Sequence, residues 1–183
     1  MTAGRVNDTG AETVAAYKES KEIAMSIFSL RNVIIGVLAT VIMDVLSAVS
    51  FKLRLIAPLS PRLIGRWFAS VGRGQLLHSD IAQTTAINHE RAIVAPVHYA
   101  IGVTLALMYL FACASLGLDS RKPITALVFA LCTNTFPWLV MFPSMGFGWF
   151  GTHGPPGTRL FQSSLVSHVF YGVGLWLGVS LLG

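Results

Sequence analysis

The sequence has few charged residues: 11% of its 183 residues are Asp, Glu, Lys or Arg, against about 25% in an ordinary soluble domain. It has only two cysteines, Cys113 and Cys132, in no CxxC pair, and we expect buried, unpaired thiols. It also lacks an HExxH zinc motif and a phosphate-binding loop with its lysine. Together with the 54% of hydrophobic residues, the scarcity of charge excludes an ordinary soluble domain and indicates an integral membrane protein.

Four long apolar runs follow one another along the chain, each long enough to cross a hydrocarbon core of about 30 Å as a helix. The predicted spans are residues 32–51, 92–118, 124–145 and 160–182. Residues 1–31 are predicted to be a polar N-terminal tail, and residues 32–183 a single four-span membrane domain.

The first loop, residues 52–91, contains a segment in which two arginines alternate with large apolar residues. This segment, Pro61 to Val71, has the pattern of a short helix that lies in the membrane interface. The predicted fold class is therefore all-α: an integral membrane four-helix bundle with an interfacial helix in the first loop.

The net charge of +5 does not indicate nucleic-acid binding, because the basic residues are scattered and no nucleic-acid motif is present. Basic residues beside the spans fit a membrane protein better and favour a cytoplasmic position for loops 52–91 and 146–159. The expected partner is the lipid bilayer. Association with other membrane subunits or with further copies of the chain stays open.

Three ionisable residues interrupt the predicted spans: Asp44, His98 and His168. Such groups cost roughly 2.5–3.5 kcal/mol in hydrocarbon on insertion scales, so they commonly mark a functional site. The rise of a helix puts all three ~10–13 Å below one face of the bundle, which we call the loop face because it carries loops 52–91 and 146–159. The sequence therefore predicts one cluster near that face.

The residue types of this cluster allow several chemistries. Two imidazoles and a carboxylate could hold a transition metal with one open position, and two histidines could ligate haem, a poorer fit because nothing else indicates haem. His with Asp could also relay protons. Three loop residues, His78, Glu90 and His153, are candidates for an outer shell. A structural network of interhelical hydrogen bonds explains the cluster about as well.

Several short motifs, in order, resemble a bacterial membrane family known as domain of unknown function 2938. They include Met43-Asp44-Val45, Gly65-Arg66-Trp67, His98-Tyr99 and Pro143-Ser144-Met145, and the similarity extends over about residues 34–182. The resemblance implies a multi-pass protein of the bacterial inner membrane and no particular chemistry. It also implies that Asp44, His78, Glu90, His98 and His168 lie within the family's own motifs.

Two functional hypotheses follow. In the first, the buried Asp/His/His cluster binds a metal or a lipophilic cofactor, or handles protons; whether the protein is an enzyme stays open. In the second, the protein is a structural or accessory subunit of a larger membrane complex, and the cluster joins its helices by hydrogen bonds.

Overall fold

The computed structural model describes residues 12–14, 27–155 and 157–183. Within these residues helices are the only regular secondary structure, and they are joined by turns and loops. The main helices are α1 (Leu30–Lys52), α2 (Pro61–Val71), α3 (Glu90–Leu116), α4 (Pro123–Ser144) and α5 (Arg159–Leu182). All but α2 are long and apolar enough to cross a membrane.

The prediction of an all-α bundle with four spans is confirmed. The first and last residues of each spanning helix lie within two residues of those predicted. The short helix predicted in the first loop is present as α2. Most of the predicted polar tail, residues 1–31, lies outside the described residues.

Local chemistry sets the helix bounds. Ser29 caps α1 by accepting a hydrogen bond from the amide of Asn32 at 3.4 Å, and α3 ends where Gly117 adopts a left-handed conformation, as glycine readily does. Within α4, the segment Pro137–Met141 is π-helical. Proline cannot donate the usual helical hydrogen bond, and the wider turn is the local response to its presence.

Small residues determine how closely the spans approach. Helix α1 packs against both α3 and α5, and α5 packs in turn against α4. A Cβ atom on Gly174 would lie 2.7 Å from the carbonyl oxygen of Ala39, and one on Gly36 would lie 2.6 Å from the Cα of Val103. Only glycine permits these two backbone approaches, which bring α5 and α3 against α1.

A second apolar cluster covers the loop face. Trp67 of α2 and Ile81 of the first loop pack with Phe142, Met145 and Phe147 at the end of α4 and just beyond it. These side chains are at most 3% exposed. The loops therefore form an ordered cap on this end of the bundle.

The expectation for the two cysteines is correct for one of them. Both thiols are free, and Cys113 is buried, but Cys132 is exposed. The apolar run that contains Cys132 shows that it lies in a span, but hydropathy alone does not show that it faces outward.

Candidate functional site

Asp44 and His98 form a hydrogen bond between α1 and α3, which becomes an ion pair when His98 is protonated. The Nε2 atom of His98 lies 2.9 Å from Oδ1 of Asp44. The hydroxyl of Tyr99 donates to the other carboxylate oxygen, Oδ2, at 3.3 Å. The imidazole and phenol rings meet edge to face, with centroids 5.8 Å apart. One carboxylate on α1 thus engages two neighbouring side chains of α3.

The Asp44–His98 pair is open to the outside of the bundle. The side chains of His98 and Asp44 are 36% and 43% exposed. The other ion pair among the described residues, Arg66–Glu90, is sealed, with side-chain exposures of 9% and 6%. A pair that lies within a membrane span and faces outward is unusual, because charge is costly where lipid surrounds the helix.

His168 lies on α5 and has a different partner. Its Nδ1–H donates to the backbone carbonyl of Ser164 at 2.9 Å, which leaves Nε2 free to accept a proton or bind a ligand. Of the three predicted residues, Asp44 and His98 therefore contact each other, whereas His168 hydrogen-bonds to the backbone of its own helix.

Cross-helix hydrogen bonds show that the three residues occupy similar depths. The hydroxyls of Ser47 and Ser167 lie 3.2 Å apart, joining α1 to α5. Ser47 is within one helical turn of Asp44, and Ser167 directly precedes His168. Tyr171 of α5 also donates to the carbonyl of Gly102 on α3 at 2.6 Å. A belt of polar contacts thus crosses the bundle at this level.

The three predicted outer-shell residues lie in the cap and do not all face one site. Glu90 accepts hydrogen bonds from Arg66 at 2.6 Å and from the amide of Ile87 at 2.8 Å. His78 has a buried Nδ1 without a hydrogen-bond partner. His153 is exposed, and its ring lies against the turn at Gly148. Within the described ranges, no three or more His, Cys, Asp or Glu side chains are grouped so that they could hold a metal ion.

Sequence reasoning missed the role of Arg66. Its guanidinium binds Glu90 and also donates to the carbonyl oxygens of Ile81 at 3.2 Å and Thr84 at 2.6 Å. Arg66 thereby connects α2, the 81–84 loop and the start of α3. The sequence did contain a sign that Arg66 is paired, because a charged residue among the apolar residues of a helix needs a partner. The spacing of residues along the chain did not identify Glu90 as that partner.

A second polar group missed from the sequence lies between α4 and α5. Asn134, fully buried, accepts from the hydroxyl of Ser164 at 2.7 Å. Its Nδ2 and the Nε1 of Trp138 are buried without partners. Trp138 is in the π-helical segment and stacks near Phe161, with centroids 4.6 Å apart. The polar level therefore extends from α3 through α1 and α5 to α4.

The fold and these contacts define a helical protein of the multi-pass membrane type with a polar level inside its spans. The profile of a family of proteins of unknown function, DUF2938, matches residues 33–182. The chain therefore belongs to this family, as its motifs suggested. No curated protein and no solved structure matches it significantly.

Proposed function

We propose that the protein resides in the bacterial inner membrane and uses the Asp44–His98 pair as an intramembrane acid–base site that takes up and releases protons. The observation that carries this proposal is the contrast between two ion pairs. A carboxylate that serves only as a structural partner is best sealed from its surroundings, as Glu90 is at 6% exposure. The Asp44 side chain is 43% exposed on the outer surface of the bundle, so the surrounding protein does not seal it.

The geometry suggests how the pair would work. When His98 is neutral and donates from Nε2 to Asp44, the lone pair is on Nδ1. No described residue hydrogen-bonds to that atom. A proton arriving there converts the ring to imidazolium, which the adjacent carboxylate stabilises. The Tyr99 hydroxyl, bound to Oδ2, holds the carboxylate in orientation. Asp44 and Tyr99 are thus positioning residues, and His98 carries the proton.

Metal or cofactor binding at Asp44, His98 and His168 is a further part of this proposal, and it requires the three side chains to move together, because the structure does not group them to hold a metal ion. Each imidazole bonds through one nitrogen, to Asp44 or to the Ser164 carbonyl. Metal-binding histidines are oriented in the same way by a partner on the second nitrogen. Elemental analysis and an absorption spectrum of the purified protein test this part; a preparation without metal or chromophore leaves only proton handling.

The alternative is a structural or accessory subunit in which the cluster joins the helices. It is favoured by the other cross-helix bonds at the same level, Ser47–Ser167 and Tyr171–Gly102. In this case the Asp44–His98 contact contributes to folding, and no proton needs to reach it.

A double-mutant cycle separates the two. Asp44→Asn, His98→Gln and the double variant are compared in lipid nanodiscs, with Ser47→Ala as a control for loss of an interhelical contact. Acid–base function predicts that His98→Gln takes up about one proton fewer than wild type when the medium is acidified. Unaltered proton uptake, together with a coupling energy well above the ~0.6 kcal/mol typical of membrane hydrogen bonds, would support the structural alternative.

A further inference from the structure

Two adjoining clefts open among the loops of the cap. The larger has a volume of about 680 Å³ and is lined by residues from α2 and from loops 72–89, among them Arg66, Arg73 and His78. The smaller, of about 320 Å³, includes Arg62 and Arg91. Arg66, Ala86, Ile87 and Asn88 line both. We call the two together the arginine cleft; their volumes lie in or near the range of small-molecule sites.

The arginine cleft has an excess of positive charge. Four arginines line it, and the one carboxylate among its lining residues is Glu90. Both oxygens of Glu90 are already bound by Arg66, at 2.6 and 3.4 Å. Neither of the ion pairs in the described residues involves Arg62, Arg73 or Arg91. Arginine stays protonated at any physiological pH. Among the described residues, Arg62, Arg73 and Arg91 therefore bring three positive charges to this cleft without an ion pair of their own, and only Arg62 also interacts with the charge of Glu90.

Hydrogen bonds hold two of the residues that line the cleft in place. Arg66 is fixed by Glu90 and by the carbonyl oxygens of Ile81 and Thr84. The backbone amide of His78 is tied to the carbonyl of Ser144 at 2.8 Å. A site whose donors are already ordered loses less entropy when it binds a ligand.

The position of the cleft matches the depth of lipid headgroups. Arg91 is the second residue of α3 and lies ~10 Å along the helix from His98, within the span. Leu76 and Leu77, between the lining residues Gln75 and His78, are 45% and 74% exposed. Apolar side chains beside a basic site allow contact with acyl chains next to a charged headgroup.

We propose that the arginine cleft binds a phosphate group. Guanidinium groups match phosphate oxygens in geometry and form strong, charge-assisted hydrogen bonds with them. The phosphate could belong to an anionic lipid headgroup or to a free anion. This proposal rests on the cap alone and does not depend on the Asp44–His98 pair.

Binding to the purified protein would be measured in two experiments. The first titrates inorganic phosphate by calorimetry in neutral detergent, and the second compares nanodiscs of phosphatidylglycerol and of phosphatidylcholine by ³¹P NMR. We call these the phosphate arm and the lipid arm. The variant is Arg73→Gln, whose exposed side chain makes no described hydrogen bond. The matched control is Arg121→Gln, an exposed arginine in the turn between α3 and α4. Circular dichroism and gel filtration would verify that both fold.

We expect binding in at least one arm, weakened about tenfold by Arg73→Gln, as for the loss of one charge-assisted hydrogen bond, and unchanged by Arg121→Gln. Binding in the lipid arm alone identifies the headgroup as the source; binding in the phosphate arm identifies a soluble anion. Absence of binding in both arms overturns the proposal. So does an equal loss in the two variants, because it indicates general electrostatic attraction.

Discussion

The sealed ion pair of Arg66 and Glu90 gives the sharpest prediction about stability. Replacing Glu90 by Leu keeps a side chain of similar volume and removes both carboxylate oxygens. Arg66 then stays as a buried cation at 8% exposure, with only the carbonyl oxygens of Ile81, Ala82 and Thr84 as acceptors.

The expected cost is about 3–5 kcal/mol, the usual result of breaking a buried ion pair by removing one partner. Both side chains are below 10% exposure, but they also line the arginine cleft. Because solvent in the cleft screens the charge, we expect a cost at the lower end of this range. Replacing both residues, Arg66→Met with Glu90→Leu, leaves no unpaired charge. We expect this double variant to recover stability to within about 1 kcal/mol of wild type, because apolar replacements of buried pairs are commonly neutral or better.

Equilibrium unfolding in mixed detergent micelles measures these energies. Hydrogen exchange of the 81–90 amides reports whether the loss is local to the cap. The control is Asp119→Asn, an exposed carboxylate that accepts from the amide of Arg121 at 2.9 Å. If Glu90→Leu costs no more than Asp119→Asn, the pair does not hold the cap and this reasoning fails.

Two packing predictions accompany it. Gly174→Ala should destabilise the bundle by about 1–3 kcal/mol, because the added methyl group overpacks against the backbone of Ala39. The control, Gly72→Ala, should be neutral in the same unfolding assay, since its Cβ would make only ordinary contacts at 3.6 Å. Equal effects of the two variants would contradict the close approach of α1 and α5. Tyr171→Phe removes the hydroxyl that donates to the carbonyl of Gly102 and should lower the free energy of unfolding by about 0.5–1.5 kcal/mol. An unchanged unfolding midpoint would refute this prediction.

The spans could be predicted because hydrophobic length is a property of each segment alone. The apolar run before Lys52 and the one that follows Arg159 specify helices α1 and α5 without reference to a partner. The same holds for α2, since alternating arginines and apolar residues in Pro61–Val71 indicate an amphipathic helix by themselves. The amino-acid composition and pattern of a segment are therefore sufficient to predict whether it forms one of these helices.

That Asp44, His98 and His168 form one functional site stays a prediction; the contacts between helices bear only on their level along the bundle. Helical rise places Asp44, His98 and His168 at one level, but rise carries no information about which way a residue faces around its helix axis. Asp44 and His98 meet across the α1–α3 contact, while His168 turns to the carbonyl of Ser164 on its own helix. Lateral position depends on how the helices pack, which one sequence does not specify.

The cap was the least predictable part. Arg66 and Glu90 are 24 residues apart in sequence and are brought together by the path of a loop. The apolar residues of the cap, such as Trp67 and Phe147, come from separate loops and have no common periodicity. Pairings of this kind depend on tertiary structure, so local patterns identify the participants but not their partners.

The central claim is that Asp44–His98 is an accessible acid–base pair. The most direct test is the pH dependence of the ring ¹⁵N chemical shifts of His98 in lipid nanodiscs, assigned by comparison with His98→Gln, with free imidazole in the same sample as a reference. We expect the His98 signals to change when the sample is acidified and Asp44→Asn to alter that change. His98 signals that stay constant while those of free imidazole move would contradict the claim.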